Sequence, residues 1–409
     1  MNSSKSRIHY GWGILVIGTL VVFGSLGLAR FSYTLVLPAM QRALGMDNTQ
    51  AGVLATANLI GYLALSVIGG ALASRYGPRI VITMGLFLAA VGMVFTGLSK
   101  SFLPAAFWRA LTGIGSGASN VPVMGLISAW FAPKRRGLAA GVVVAGSSVA
   151  IIFIGPLVPQ ILTHYGEDSW RLCWYIFGGV TLLLALCSFA FLRNRPGDVG
   201  LEPLGIDDKV KQDADRISKL SWGNIYRSFT VWHMGFVYAA FGFSYIIYMT
   251  FFAKHLITEG GYTQAEAGKL FMLMGWFSLF CGVIWGAISD RIGRRGAMFI
   301  VYLIQATAFS LFSLWSSTPG FVISAVLFGL TAWSIPAIMA AACGDVLGPR
   351  FAPAALGFTT LFFGIGQALG PSIAGAIADS VGSFYHVFLL ASGVAILGAI
   401  GSLMIRRTS

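Results

Sequence analysis

The sequence predicts an all-α membrane protein: twelve transmembrane helices in two pseudo-symmetric six-helix bundles. Three observations carry this: a composition suited to lipid rather than water, twelve long apolar runs, and a pattern that repeats between the halves. Of 409 residues, 56% are hydrophobic and 10% charged, with mean hydropathy +0.80. Soluble domains hold about 25% charged residues. Fifty-two glycines suit helices that approach closely without water between them.

A spanning helix needs about 20 mostly apolar residues. Such runs cover 12–38, 49–73, 79–98, 102–130, 137–163, 171–192, 229–256, 265–289, 297–316, 319–343, 353–378 and 384–405. The first run opens a series of similar ones and has no small-residue cleavage site after it, which argues against a signal peptide. Most connections are short. The polar, Pro/Gly-punctuated stretch 194–228 divides the chain into an N-terminal bundle (1–193), a cytoplasmic linker and a C-terminal bundle (229–409).

A net charge of +13 raises the question of nucleic acid. The cations instead occupy short loops on one side. Of 27 Lys and Arg, five (Arg42, Lys100, Arg171, Lys254, Lys269) fall on the other side and two (Arg30, Arg109) inside spans, leaving 20. That asymmetry predicts both termini in the cytoplasm of a multi-pass inner-membrane protein and excludes a nucleic-acid partner. Cys173, Cys187, Cys281 and Cys343 lie in apolar runs without metal-ligand spacing. No nucleophile elbow, phosphate loop or ligand cluster is present. An enzyme and a cofactor are therefore not expected, and a monomer in the bilayer is.

The halves repeat. Phe31-Ser32-Tyr33 recurs as Phe243-Ser244-Tyr245, 212 residues on, and Ala51-Gly52 as Ala267-Gly268, 216 on. Arg75 and Gly77 recur as Arg291 and Gly293, and Gly155-Pro156 as Gly370-Pro371 at an offset of 215. A parallel repeat of this kind places a binding site at mid-membrane between the halves and allows alternating access.

The loop Gly70–Arg79 and its second copy Gly286–Arg295, together with Arg109-Ala-Leu-Thr-Gly113-Ile-Gly115, resemble signatures of the major facilitator superfamily over essentially the whole chain. Ser74 stands where the first loop usually has Asp. Tyr10-Gly11-Trp12, Trp130–Ala139 and Arg195–Leu201 resemble the monocarboxylate and oxalate/formate branch. Arg30–Thr34 followed by Pro38 resembles a bacterial branch with an Arg in the first helix. The resemblance implies a secondary transporter whose first, fourth, seventh and tenth helices line the cavity.

All fourteen acidic residues fall at helix ends or in loops. Arg30 lies about 12 Å inside the first helix at 1.5 Å per residue, and Arg109 lies similarly deep in the fourth. An intramembrane Arg costs about 2.5–3.5 kcal/mol or more unless paired or hydrated. Two without a buried carboxylate predict a positive cavity and a small organic anion, with a monocarboxylate matching the guanidinium fork. Arg30 is expected to bind it. Arg109 fits equally a structural role on backbone carbonyls of its own bundle.

On the four cavity helices, Tyr33, Asn120, Tyr245, Tyr248, Trp333 and Ser334 complete the candidate binding set, though packing accounts for any single one as well. Gln367 and Trp276 are weaker candidates. For gating, the resemblance implies Arg75, Asp290, Arg291 and Arg295, with Asp290 bridging to the other bundle. Gly155, Pro156, Gly370 and Pro371 read as bend points or static kinks. No mid-membrane carboxylate exists to carry a proton, and His9, His164, His233, His255 and His386 lie near segment ends. Proton-linked symport, anion exchange and facilitated diffusion all remain open. Efflux of drugs or other amphipathic molecules is the alternative function.

Overall fold

A computed structural model of the chain describes residues 9–205, 228–347 and 352–405. Most of the expected linker, and Arg350, Arg406 and Arg407, lie outside these residues. The first span is interrupted: helix α1 (Tyr10–Val22) passes into a π-helical stretch (Phe23–Phe31) and then α2 (Tyr33–Leu44). The N-terminal half continues with α3 (Asn48–Tyr76), α4 (Pro78–Leu98), α5 (Phe102–Trp130), α6 (Pro133–Tyr165) and α7 (Trp170–Phe191). The C-terminal half has α8 (Phe229–Thr258), α9 (Gln264–Ser278) and α10 (Cys281–Ile292), then α11 (Arg294–Leu314). It ends with α12 (Thr318–Thr331), α13 (Ser334–Leu347), α14 (Ala352–Val381) and α15 (Tyr385–Met404).

Local chemistry sets the ends. Asp47 with Gln50 and Thr263 with Glu266 form capping boxes at α3 and α9, satisfying donors that a helix start leaves free. Pro opens α4 and α6, where its missing N–H costs nothing. Leu204, beyond α7, donates its N–H to the Trp130 carbonyl at 2.9 Å.

By length and apolarity, nine described helices qualify as spans, and eleven if each of two bent pairs counts as one. The expectation was twelve. The difference is α5, a 29-residue helix that buries Arg109, Thr112, Ser116 and Ser119 among glycines. It packs against α3 and α4 and keeps these polar groups on its buried face. Large apolar side chains such as Leu103, Phe107, Leu183, Phe236 and Leu397 point outward, as a lipid environment permits.

The halves pack alike. α1 with α6, α3 with α5 and α4 with α7 have counterparts in α8 with α14, α9 with α12 and α11 with α15. The halves meet through α3 on α14 and α6 on α9, again a related pair, and through α2 on α8. The repeated dipeptides explain these crossings. A Cβ at Gly52 would collide with the Pro371 carbonyl, and one at Gly268 with the Gly155 carbonyl. The Ala-Gly of each half therefore seats on the Gly-Pro of the other. Backbones can approach this closely only where a side chain is missing. Gly155-Pro156 and Gly370-Pro371, expected as bend points or static kinks, lie within the unbroken helices α6 and α14, and the pairs are also contact points between the halves.

These crossings lie on the face away from the termini. There Asp379 accepts from the Asn48 N–H (3.0 Å), the Thr49 N–H (2.7 Å) and the Thr49 hydroxyl (2.6 Å). Thr34 donates to the Met249 carbonyl and Gln264 to the Leu35 carbonyl, and Lys254 donates to Gln41. Among the described residues no hydrogen bond joins the halves at the terminal face. Ile14, Leu126, Ile127 and Trp130 instead form a separate core inside the N-terminal half, whereas the main core is continuous between halves toward the far face.

Candidate functional site

The interrupted first span positions Arg30. Within Phe23–Phe31 the backbone bonds five residues back, as from the Ser32 N–H to the Gly27 carbonyl at 3.1 Å. The register shift leaves carbonyls for side chains. Leu28 accepts from the Ser32 hydroxyl at 2.5 Å, and Ala29 accepts from Arg109 Nη1 at 2.7 Å. Such π segments concentrate at functional sites.

Arg30 is 8% exposed, and its Nε and Nη2 are buried without a hydrogen-bond partner. Its guanidinium stands 4.2 Å from the centroid of the Tyr62 ring and acts on the Tyr245 hydroxyl across the boundary between halves. Asn120 donates to the Tyr62 hydroxyl at 2.8 Å, and Gln367 donates to Tyr245. Arg109 is 1% exposed, with its guanidinium over the rings of Tyr33 (4.8 Å) and Trp174 (5.0 Å). Tyr33 in turn donates to the Ala51 carbonyl at 2.8 Å. Among the described residues neither arginine has a carboxylate within ion-pair distance. Both border one cavity of about 20 Å³, shared with Tyr33, Thr34, Asn58 and Met249. That volume holds about one water.

Trp333 sits at the break between α12 and α13. Its indole N–H donates to Ser148 of the N-terminal half at 2.9 Å, and its ring is 5.3 Å from Phe31 and 6.3 Å from Tyr245. The structure thus gathers Arg30, Asn120, Tyr245 and Trp333 around the boundary, with Tyr33 and Arg109 beside them. It does not bring the other two binding candidates there. Tyr248 is fully buried within the C-terminal half, bonded to Ser324 at 2.8 Å and ringed by Phe252, Phe309, Phe312 and Phe328. Its spacing put it on a cavity helix, but three residues past Tyr245 it takes a different azimuth. Ser334 is fully buried beside Cys281. Trp276 faces outward, 56% exposed. Tyr62 and Asn58 lie on α3, outside the four helices that the resemblance places at the cavity; an interior Tyr and Asn in an apolar run are their signal in the sequence.

A family model described as "Uncharacterised MFS-type transporter YbfB" matches residues 22–403. The chain belongs to this major facilitator family. It is 25% identical to the hexuronate transporter of Bacillus subtilis (strain 168), over 91% of this chain and 89% of that one. It is 23% identical to a probable sulfoacetate transporter of Cupriavidus necator, over 98% and 95%. Monocarboxylate transporter 2 of Mesocricetus auratus matches at 24%, over 95% and 83%, so the monocarboxylate branch is not singled out. In fold, it is similar to the crystal structure of a bacterial homologue of the human lysosomal transporter Spinster, inward-facing and unoccupied. The TM-score is 0.75 at 18% identity, covering 99% of this chain and 100% of that one. This major facilitator protein is a membrane transporter of a small solute and not an enzyme.

The gating candidates of this facilitator lie at the terminal face. Asp290 pairs with Arg294, four residues on, and Arg294 Nε also reaches Asp345 at 2.9 Å. In this conformation Asp290 is thus held within its own half, contrary to the expected bridge. Arg75 and Arg291 are exposed, with Arg75 over the Tyr76 ring. Arg295 donates to the Leu403 carbonyl. These groups are satisfied within their own halves.

Proposed function

We propose that this transporter moves a small organic anion, a monocarboxylate, across the cytoplasmic membrane by alternating access, with residues 1–193 and 229–409 as the moving bodies and both termini in the cytoplasm. The observation that carries the reading is Arg30: a guanidinium at the boundary of the halves, with buried unpartnered donors and no carboxylate beside it among the described residues. Leaving such a charge unpaired in the membrane is costly. A carboxylate bound through two N–H donors supplies both the charge and the acceptors. The named substrates of the relatives, hexuronate, sulfoacetate and monocarboxylates, are all anions at neutral pH, which supports the charge class without choosing within it. The Lys/Arg asymmetry supports the orientation.

Purified protein in liposomes tests this. Carboxylate uptake should saturate, and Arg30→Gln should abolish it with the fold intact. Uptake at the wild-type rate in the variant would overturn the reading. Imposing a pH gradient separates proton-linked symport from exchange and uniport. Efflux of amphipathic molecules is the second reading, supported by the aromatic residues around Tyr245; export of unrelated neutral or cationic compounds, independent of Arg30, would establish it.

A further inference from the structure

Resting on the anion reading, we infer that the solute is a monoanion with a flat apolar body, an aromatic carboxylate. Polyhydroxylated acids, dicarboxylates and phosphate esters are excluded as preferred cargo. Three observations carry this.

The first is the number of free cations. Arg109 is engaged by the Ala29 carbonyl and two ring faces, and its unpartnered Nε is buried. Arg30 keeps two unpartnered donors, Nε and Nη2, and of the two buried arginines among the described residues it is the one that reaches a group of the other half, Tyr245. Its neighbours Tyr62, Asn120, Tyr245 and Gln367 are neutral. One guanidinium neutralises one carboxylate; a second negative charge would enter without a partner and carry its desolvation cost in full.

The second is the small supply of free hydrogen-bonding groups. Asn120 is used on Tyr62, Gln367 on Tyr245, and the Trp333 indole on Ser148, which also receives the Ser278 hydroxyl. Asn120 Oδ1 and, at the cavity beside the arginines, Asn58 Oδ1 are the two amide acceptors left over. A polyhydroxylated body would bury several hydroxyls there unsatisfied, at about 1–3 kcal/mol each.

The third is the aromatic stack of the C-terminal half, which meets Arg30 at Tyr245. Tyr238, Phe241, Tyr245 and Phe363 stand nearly parallel, with interplanar angles of 7–16°. Trp333 meets Tyr245 edge-on at 78°, with Phe31 behind it. Tyr62, Trp333 and Phe363 are only partly buried, unlike the sealed ring cluster around Tyr248. They leave aromatic surface near the Arg30 guanidinium. A flat ring stacks on such surface while its carboxylate reaches Arg30.

Equilibrium binding to the purified full chain tests the inference with benzoate, benzamide, gluconate, succinate and glycerol 3-phosphate. Benzoate should bind about tenfold or more tighter than each of the others. Trp333→Leu should remove about tenfold of that preference and Trp333→Phe should keep it. Phe363→Leu, which disturbs no hydrogen bond, is the companion variant and should also weaken benzoate severalfold. If gluconate or succinate binds as tightly as benzoate and Arg30→Gln abolishes both, the aromatic body is wrong and the anion reading survives. If no anion depends on Arg30, both fall together.

Discussion

Arg109 Nη1 donates to the Ala29 carbonyl at 2.7 Å, so the fourth span's cation braces the interrupted backbone that holds Arg30 next along the chain. The two buried arginines, alike in sequence, differ in what they hold: Arg109 holds its own bundle and Arg30 faces the other.

Their variants should therefore separate. Arg109→Ala removes a charge-assisted bond worth about 1.5–3 kcal/mol together with packing on Tyr33 and Trp174, and should lower the Tm in detergent by several degrees. Arg30→Gln should leave the Tm close to wild type while abolishing anion-induced stabilisation. Equal Tm losses in both would contradict the division.

Asp379 caps the start of α3 from the opposite half. Capping side chains are worth about 0.5–2 kcal/mol, here assigned to closure of the far face. Asp379→Ala should raise the labelling rate of a cysteine placed at Thr34 by a reagent confined to the far side, about threefold or more. Unchanged labelling would remove the latch role.

At the crossing of α6 and α9, Gly268 has no room for a side chain. Gly268→Val should cost about 1–3 kcal/mol in the closed far face and arrest transport with that face open, read by the same labelling. Gly179→Val, where nothing lies within 4 Å of an added Cβ, is the control and should transport normally.

Asp290 and Arg294 are paired at an exposed helix end, with Asp290 65% exposed. Such pairs contribute about 0.2–1 kcal/mol, so Asp290→Asn should barely change the stability of this conformation. If Asp290 bridges the halves in the opposite state, the variant should increase cysteine accessibility from the terminal face. Equal accessibility in wild type and variant would refute that bridge.

Glu259, just past α8, gives a pH prediction. Burial pushes its carboxyl up, but bonds from His255, the Phe384 N–H and Ser383 outweigh this and hold it below the usual value of 4.5. A depressed carboxylate stabilises the fold above its unfolded pKa, and that stability is lost as pH falls through the lower folded value. Thermal stability should therefore decline below about pH 4.5, and Glu259→Gln should flatten that limb. An unchanged acid limb would assign it elsewhere.

What the sequence determined by itself was the membrane fold, the repeat and the isolation of Arg30 and Arg109 from acidic partners, because hydropathy, internal offsets and charge placement are written along the chain. It could rank the arginines no further, since the Ala29 carbonyl is freed by a change of helical register that leaves no compositional mark. Tyr62 and Asn58 escaped for a related reason: which side of α3 faces the other half depends on packing against α5 and α14. Tyr248 and Tyr245 illustrate the same limit, three residues apart on one helix, one sealed among phenylalanines and the other at the boundary. The Ala-Gly and Gly-Pro repeats were visible as sequence, yet only the tertiary structure decided that they seat on each other, because close approach of two backbones is a relation between helices more than 100 residues apart.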